Sequence, residues 1–337
     1  MTSQPTNLGV STVAGTTETI VHIPERLSVL EAVDFKETCK TLCEADPLPV
    51  QITLDFSQTA FVDSSGIGAL VNSYKLAHAT GISFVLRGVQ PPVMAVLSMT
   101  GLDTMLSIES STALATTDSS AKKSAKKEDV LPPATHPSVR SWIKRSLDIT
   151  GALIGLFILS IIFIPLAIMI RLDSPGPILF SQVRCGWMGK RFRLWKFRSM
   201  VSDAEARRHQ VKNQVEGAFF KNDNDPRITR VGRFLRKTSL DEFPQFWNVL
   251  RGDMSLVGTR PPTPDEVERY EVPQWQRLDV RPGMTGEWQV NGRSQVKKFE
   301  DVIRLDLDYQ ENWSLKHDLK LILKTLAVLF SRNNGAM

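Results

Sequence analysis

Three cysteines, Cys39, Cys43 and Cys185, are too few to build a disulfide framework in a chain of 337 residues. Cys39 and Cys43 stand four apart on one face of a predicted helix, with no CxxC or His pair nearby to complete a metal site. Reduced, partly buried thiols in a cytosolic setting are the expectation. Met1–Gly15 lacks the basic start and apolar core of a secretory signal. With 42% hydrophobic and 23% charged residues, the averages exclude collagen, wholesale disorder and a polytopic transporter. At roughly 150 residues per domain the length suggests about two domains, each able to bury a core.

Two further lacks are local. Residues 1–110 are short of basic side chains and carry a net −6, whereas the remainder carries +11. Such a split often marks one half that faces anions: nucleic acid, phosphorylated substrate or acidic lipid. The stretch Ile149–Ile170 has no charged residue over 22 positions, enough to cross a bilayer as a helix. Pro165 lies inside it, where proline removes a backbone donor and kinks a helix. Arg140, Lys144 and Arg145 precede the run; Arg171, Arg184, Lys190, Arg191, Arg193, Lys196 and Arg198 follow it. Positive flanks favour the cytoplasmic side at both ends, so the expectation is a re-entrant membrane helix over 148–171, broken at Pro165. Ser160 is the nearby hydroxyl available to the freed backbone.

Composition and periodicity divide the chain. Residues 1–17, rich in Ser, Thr and Gly, are expected to be disordered. Over 18–108 strands and helices alternate: strands at Thr19–His22, Val50–Phe56 and Ser83–Arg87, helices at Leu27–Glu44, Ser64–Ala79 and Pro91–Met99. Residues 109–138 read as a flexible linker whose four lysines in AKKSAKKED suit either a membrane surface or a soluble tether. Residues 139–337 form a basic region rich in Arg, Trp and Phe, and Trp313–Phe330 has helical spacing suited to a membrane surface or to closing a core.

The segment LDFSQTAFVDSSGIGALVNSYKLAHATG, with the later GLDTML, resembles the STAS domain of anti-sigma-factor antagonists. The resemblance implies an α/β fold over 18–108 and a protein partner or kinase. The family's phosphorylated serine corresponds to Ser64, directly after Asp63. A serine at a helix start is expected to be exposed, with a phosphate favoured by the helix dipole. Asp63 and Ser64 are equally ordinary helix caps.

Two readings of Asp241-Glu242 stay open on the residues alone. The pair lies among Arg227, Arg230, Arg233, Arg236, Lys237 and Arg251, just before Pro244, a residue suited to a first helical turn. Ser239-x-x-Glu242 is a capping-box pattern; an acidic pair in a basic setting also suits phosphoryl chemistry. A second resemblance favours chemistry. The blocks LDITGALIGLFILSIIFIPLAIMIRLDSPGPILFSQVRCGWMGKRF, LWKFRSM, NDPRITRVGRFLRKTSLDEFPQFWNVLRGDMSLVGTRPP, RPGMTGEWQVNGR and SLKHDLKLILKT resemble the bacterial sugar transferases, monotopic polyprenyl-phosphate phosphoglycosyl transferases.

That resemblance implies a mostly α membrane domain on the cytoplasmic face of the bacterial inner membrane. It implies transfer of a sugar-1-phosphate from a UDP-sugar to polyprenyl (undecaprenyl) phosphate, releasing UMP, at the first membrane step of exopolysaccharide or other glycan assembly. Asp241 would attack the β-phosphate and form a phosphosugar–enzyme, while Glu242, with Asp241, would hold Mg²⁺. Lys196, Arg198 and Arg233 are the candidate phosphate-binding cations, and Arg260-Pro261 matches the nucleotide-end loop. Arg281-Pro282-Gly283 and Gly292-Arg293 would close the pocket. Thr259 stands where relatives commonly have Pro, and Ile164 where some have serine. The donor sugar (glucose, galactose or an N-acetylated hexosamine), the STAS partner and a homodimer are left open. The competing expectation is a membrane-tethered partner-switching regulator without catalysis. A nucleic-acid partner is not expected, because no recognition module is present.

Overall fold

The computed structural model describes residues 8–12, 18–109, 135–207, 209, 211, 222, 224–292 and 299–330. The chain divides into two compact units, Met1–Thr135 and His136–Met337. Most of the predicted linker (110–134) lies outside the described residues, as does Arg293.

In the first unit the strands are β1 (Val10–Thr12), β2 (Glu18–His22), β3 (Arg26–Leu27), β4 (Gln51–Asp55), β5 (Phe61–Val62), β6 (Ser83–Arg87) and β7 (Ser107–Glu109). Helices α1 (Val29–Cys43), α2 (Ser64–Ala79) and α3 (Pro91–Thr100) alternate with them. Five strands form one sheet in the order β1-β2-β4-β6-β7, parallel except for β1. Strands β4 and β6 read as near-continuous apolar runs because their centres are buried. Phe35, Ile52, Leu54, Leu70, Leu86 and Leu97 fill the core. Strand β1 falls where composition predicts disorder: three residues held by antiparallel pairing to Thr19–Val21.

At the start of α2, Asp63 is the cap and accepts from the Gly66 N–H at 2.9 Å. The expected exposure of Ser64 is not found. Ser64, Ser65 and Gly66 are all buried, and a Cβ on Gly66 would lie 2.5 Å from the Leu27 carbonyl oxygen. The helix start is pressed against β3, which removes Ser64 from the surface. All three cysteines are free and buried, and burial pushes the Cys39 thiol up to about 12.

The second unit opens with α4 (Pro137–Arg140) and α5 (Trp142–Asp173), then the antiparallel hairpin β8 (Leu179–Cys185) and β9 (Arg191–Phe197). Helices α6 (Arg230–Lys237) and α7 (Gln245–Arg251) follow, then β10 (Ser255–Val257), α8 (Pro264–Val267), β11 (Gly283–Thr285), α9 (Phe299–Glu311) and α10 (Leu315–Phe330). Strands β10 and β11 pair in parallel.

The helix does not end at Pro165 as a broken helix would: α5 runs for 32 residues, about 48 Å of helix at 1.5 Å per residue, so the proline bends it rather than interrupts it. Nor does Ser160 serve the proline. Pro165 frees the carbonyl of Ile161, whereas the Ser160 hydroxyl donates to Phe157 O at 2.7 Å. One stripe of α5 is buried, including Lys144, Asp148, Ala152, Gly155, Leu166 and Ile170. The rest is apolar and exposed, with Phe157 at 68% and Ile164 at 68%. A core helix of a soluble protein would bury these side chains; this one leaves a large apolar patch bare. It is long and apolar enough to cross a membrane.

Small residues keep the buried stripe narrow. A Cβ on Gly155 would sit 2.3 Å from the Phe246 ring, so only glycine lets α7 approach α5 this closely. The charged residues at the helix base are structural as well. Lys144 is only 7% exposed and donates to Asp318 at 2.5 Å and to Val257 O at 3.0 Å. Arg145 donates to Val249 O and Leu250 O, the last carbonyls of α7. Asp148 accepts from Ser255 Oγ and Leu256 N–H. Lys144 and Arg145 are thus anchors within the protein, where the sequence suggests positive flanks for the membrane.

Candidate active site

Asp241 and Glu242 lie in a single 3₁₀ turn, Leu240–Glu242, between α6 and α7. The capping-box reading fails here. Ser239 adopts a left-handed conformation, φ 54°, and its side chain caps nothing. A non-glycine residue in this region costs of order 1 kcal/mol or more, and the turn it makes places the acidic pair. Pro244 is the residue that flanks α7 rather than its first turn. Asp241 is only 6% exposed, and Glu242 is half-buried.

Two supports fix this turn. Asn248 on α7, fully buried, accepts from Trp195 N–H at 3.2 Å and donates to Arg193 O at 2.7 Å. It ties α7 to β9, the strand that carries Lys196. Phe246 on α7 packs into the glycine seam of α5 and meets Phe243 edge-on. Lys196 Nζ then reaches Glu242 Oε1 at 2.9 Å, with both side chains partly open to solvent.

The other candidates separate. Arg236, not Arg233, faces the acidic turn. Arg236 is largely buried, donates through Nε to Ser199 Oγ at 2.9 Å, and lies within electrostatic reach of Asp241, Asp225 and Glu242. Burial pushes its pKa down while Asp241 opposes the shift. Arg233 is exposed. Arg198 does not present itself to a phosphate: it donates to Pro175 O, Ser174 O and Ile170 O, closing the C-terminal end of α5. Arg260 is held by Glu266 at 2.9 and 3.2 Å and stacks on Trp288, with Pro261 buried beside it. Arg281 has Arg145 and Asp148 as its electrostatic neighbours, at the base of α5. Thr259 donates to Arg277 O at 3.1 Å and so finds a partner for its hydroxyl.

Sequence reasoning missed Asn248 and Arg277, and it named Arg227 without its partner. Asn248 gives no local signal, because its partners lie more than 50 positions away. Arg227 grips Asp225 through a bidentate pair, 2.6 Å at its shortest, just ahead of α6. Arg277, buried, joins Asp306 and the Tyr270 hydroxyl beneath the Arg260 loop. Among the described residues no group of three or more His, Cys, Asp or Glu is placed to hold a metal.

Comparison with known proteins gives the family of the chain. The family model of bacterial sugar transferases matches residues 139–332, more than half of the chain. The chain belongs to the bacterial sugar transferase family. A second model, the STAS domain, matches residues 10–115, so a STAS domain precedes the transferase domain. The transferase part is 54% identical over 188 residues to galactosyl transferase CpsE of Streptococcus agalactiae serotype III (strain NEM316), covering 55% of this chain and 42% of that protein. It is 43% identical over 200 residues to the undecaprenyl-phosphate galactose phosphotransferase of Salmonella typhimurium, covering 58% and 42%. Exopolysaccharide production protein ExoY of Rhizobium meliloti is 36% identical over 224 residues, 64% of this chain and 99% of that protein. The chain spans less than half the length of CpsE and of the Salmonella protein. Among solved structures, the unphosphorylated anti-sigma factor antagonist SpoIIAA is 15% identical over 31% of this chain and 89% of its own, with a TM-score of 0.26.

Proposed function

We propose that this sugar transferase moves a sugar-1-phosphate from a UDP-sugar to polyprenyl phosphate through a covalent intermediate on Asp241. The observation that carries the reading is the buried Asp241, set beside Glu242, Lys196 and Arg236 in a turn fixed by Asn248. An exposed acidic pair capping a helix would need none of these.

Asp241 Oδ would attack the β-phosphorus. The new O–P bond forms as the bond to the UMP oxygen breaks, and UMP leaves. A phosphate oxygen of the lipid then attacks the same phosphorus and frees Asp241. Dividing one transfer into two displacements is covalent catalysis. Arg236 keeps positive charge beside the nucleophile and would meet the equatorial oxygens as charge builds there. Lys196 orients Glu242.

Two adjacent carboxylates fit Mg²⁺, which is typically held by one or two carboxylates with the remaining ligands from substrate phosphates and water. Glu242 and Asp241 would hold it, and it would neutralise pyrophosphate charge.

Both ends of α5 are fastened to one folded unit, Lys144 to Asp318 and the Ile170 and Ser174 carbonyls to Arg198. This supports a helix, bent at Pro165, that enters and leaves by one leaflet, with the catalytic unit on the cytoplasmic face of the inner membrane. Galactose or glucose stands in the names of several relatives, among them the Salmonella galactose phosphotransferase, the Erwinia amylovora UDP-galactose-lipid carrier transferase and the Escherichia coli UDP-glucose:undecaprenyl-phosphate glucose-1-phosphate transferase. UDP-galactose and UDP-glucose are therefore the first donors to test. The STAS domain would serve as a docking module for a protein partner.

The test is UMP release by the full chain in nanodiscs, with each donor, undecaprenyl phosphate and Mg²⁺. The Asp241→Asn protein should lose turnover by at least about 10³-fold and fail to trap sugar phosphate when the acceptor is omitted. Full activity in that variant overturns the covalent mechanism.

A further inference from the structure

The buried arginines of the transferase unit are mostly matched. Arg260 is paired with Glu266, Arg277 with Asp306 and Arg227 with Asp225. Arg198 and Arg184 pair with no carboxylate, and each leaves a buried Nε–H without an acceptor, as Arg277 also does; Arg198 closes the C-terminal end of α5, whereas Arg184, on β8, lies against the Arg260-Pro261 loop. Its guanidinium donates to Pro261 O at 3.0 Å and to Gln182 Oε1 at 2.7 Å, both neutral, and its Nε–H is buried with no acceptor. Glu266 and Glu242 act on it electrostatically, but neither is hydrogen-bonded to it. Burial and the adjacent Arg260 push its pKa down to about 10. A buried donor without a partner is destabilising, and a desolvated cation beside another cation adds to that cost. An anion would relieve both.

The hairpin register shows where that anion would sit. Phe180 opposes Lys196, Gln182 opposes Leu194 and Arg184 opposes Phe192. Directly opposed residues, and those two apart, share a face of a ladder. Lys196 and Arg184 therefore lie on one face, about 13 Å apart along the strands. Gln182 lies between them on that face and accepts from Arg184, and Glu242, which Lys196 holds, is within electrostatic reach of the Arg184 guanidinium. The other bond from Arg184 fastens it to the Arg260-Pro261 loop. Arg184 thus stands between the nucleophile's turn and that loop.

We propose that Arg184 binds the phosphate of the departing nucleoside monophosphate, which is the α-phosphate of the donor. The inference rests on the transfer reaction proposed above. When the bond to the β-phosphorus breaks, negative charge gathers on the bridging oxygen, and the unmatched Arg184 guanidinium is the group placed to receive it. Its Nε–H gains the acceptor it lacks. The arginine then changes from an unsatisfied group to a charge-assisted one as the leaving group forms.

The experiment compares UMP with uridine as competitors of donor turnover, using the full chain in nanodiscs and the variants Arg184→Gln and Arg184→Lys. The Arg184→Gln variant would bind UMP about tenfold more weakly, the loss of one charge-assisted bond, with uridine unchanged. The Arg184→Lys variant would keep part of the UMP affinity, because it returns the charge without the fork. Equal weakening of UMP and uridine would mean that Arg184 only braces the Pro261 loop, and unchanged UMP affinity would mean that it touches no phosphate; either overturns the proposal. Should the unsubstituted protein release no UMP from any donor, the transfer reading itself fails. Direct calorimetric binding of UMP to the same proteins still decides the role of Arg184.

Discussion

Removing Lys144 while leaving Asp318 in place should unfasten the C-terminal helix from the base of α5. The two side chains are 7% and 4% exposed. Breaking a buried pair by deleting one partner costs about 3–5 kcal/mol, because the remaining charge stays buried. Asp318 would keep the Tyr309 hydroxyl at 2.8 Å and the Trp313 Nε1–H at 3.1 Å, and Val257 O would keep the Tyr309 hydroxyl at 3.2 Å. Those bonds place Lys144→Met near the lower limit, about 3 kcal/mol. For a domain of this size that lowers Tm by roughly 6–12 °C at 2–4 °C per kcal/mol. The double variant Lys144→Met, Asp318→Leu removes both charges and should recover most of the loss. Thermal melting in detergent, read by intrinsic tryptophan fluorescence, measures the full cycle. If Lys144 were a headgroup cation on the membrane surface, the single variant would cost under about 1 kcal/mol and the second change would restore nothing. That result would refute the anchoring role.

Three other outcomes follow. For Asp225, burial favours the neutral form but the bidentate Arg227 prevails and holds the carboxyl below its usual range. Its contribution to stability is therefore complete above the unfolded value near pH 4 and lost as pH falls through the depressed folded value. Asp225→Asn should melt lower than the unsubstituted protein at pH 7, and the gap should narrow as pH falls below the unfolded value and close once it has passed the depressed folded value. Ser64→Glu buries a charge at the start of α2 and should destabilise the STAS domain by more than about 2 kcal/mol, whereas Ser64→Ala removes only a hydroxyl and should cost about 1 kcal/mol; chemical denaturation distinguishes them. The native cysteines are buried and should resist maleimide at pH 7.5. Cysteines placed at the exposed Arg140 and Arg191 should both be labelled from the cytoplasmic side, and labelling from opposite sides would make α5 a true span.

The elements that reveal themselves in sequence are those whose pattern is local. Ser64–Ala79 and Ser83–Arg87 are bounded as their periodicity and turn residues indicate. Strand β1 escapes notice because three residues have no periodicity and are stabilised by a neighbouring strand. Asp241-Glu242 stands out as an acid pair in a basic stretch, but its backbone does not: the left-handed Ser239 that makes the turn is neither Gly nor Asn. Arg233 and Arg236 both look suitable on a short basic helix. Only the packing of α6 shows that Arg236 turns inward, to Ser199. Arg198 and Lys144 mislead for the same reason. Charge next to an apolar run reads as a membrane flank, whereas both close contacts within the protein. Glycines Gly151 and Gly155 are visible as letters, but their partners Leu256 and Phe246 lie about a hundred residues downstream.

The exposed apolar flank of α5 changes the way concentration must be counted for this enzyme. The stripe that grips α7 faces protein, and the remaining side chains offer hydrocarbon a surface next to the catalytic unit. A lipid acceptor would then arrive by diffusion within a two-dimensional sheet, while the nucleotide donor arrives from three-dimensional solution. Acceptor kinetics should follow mole fraction in the bilayer, so diluting the membrane with inert phospholipid would slow the second displacement at constant total acceptor. Donor kinetics should be indifferent to that dilution.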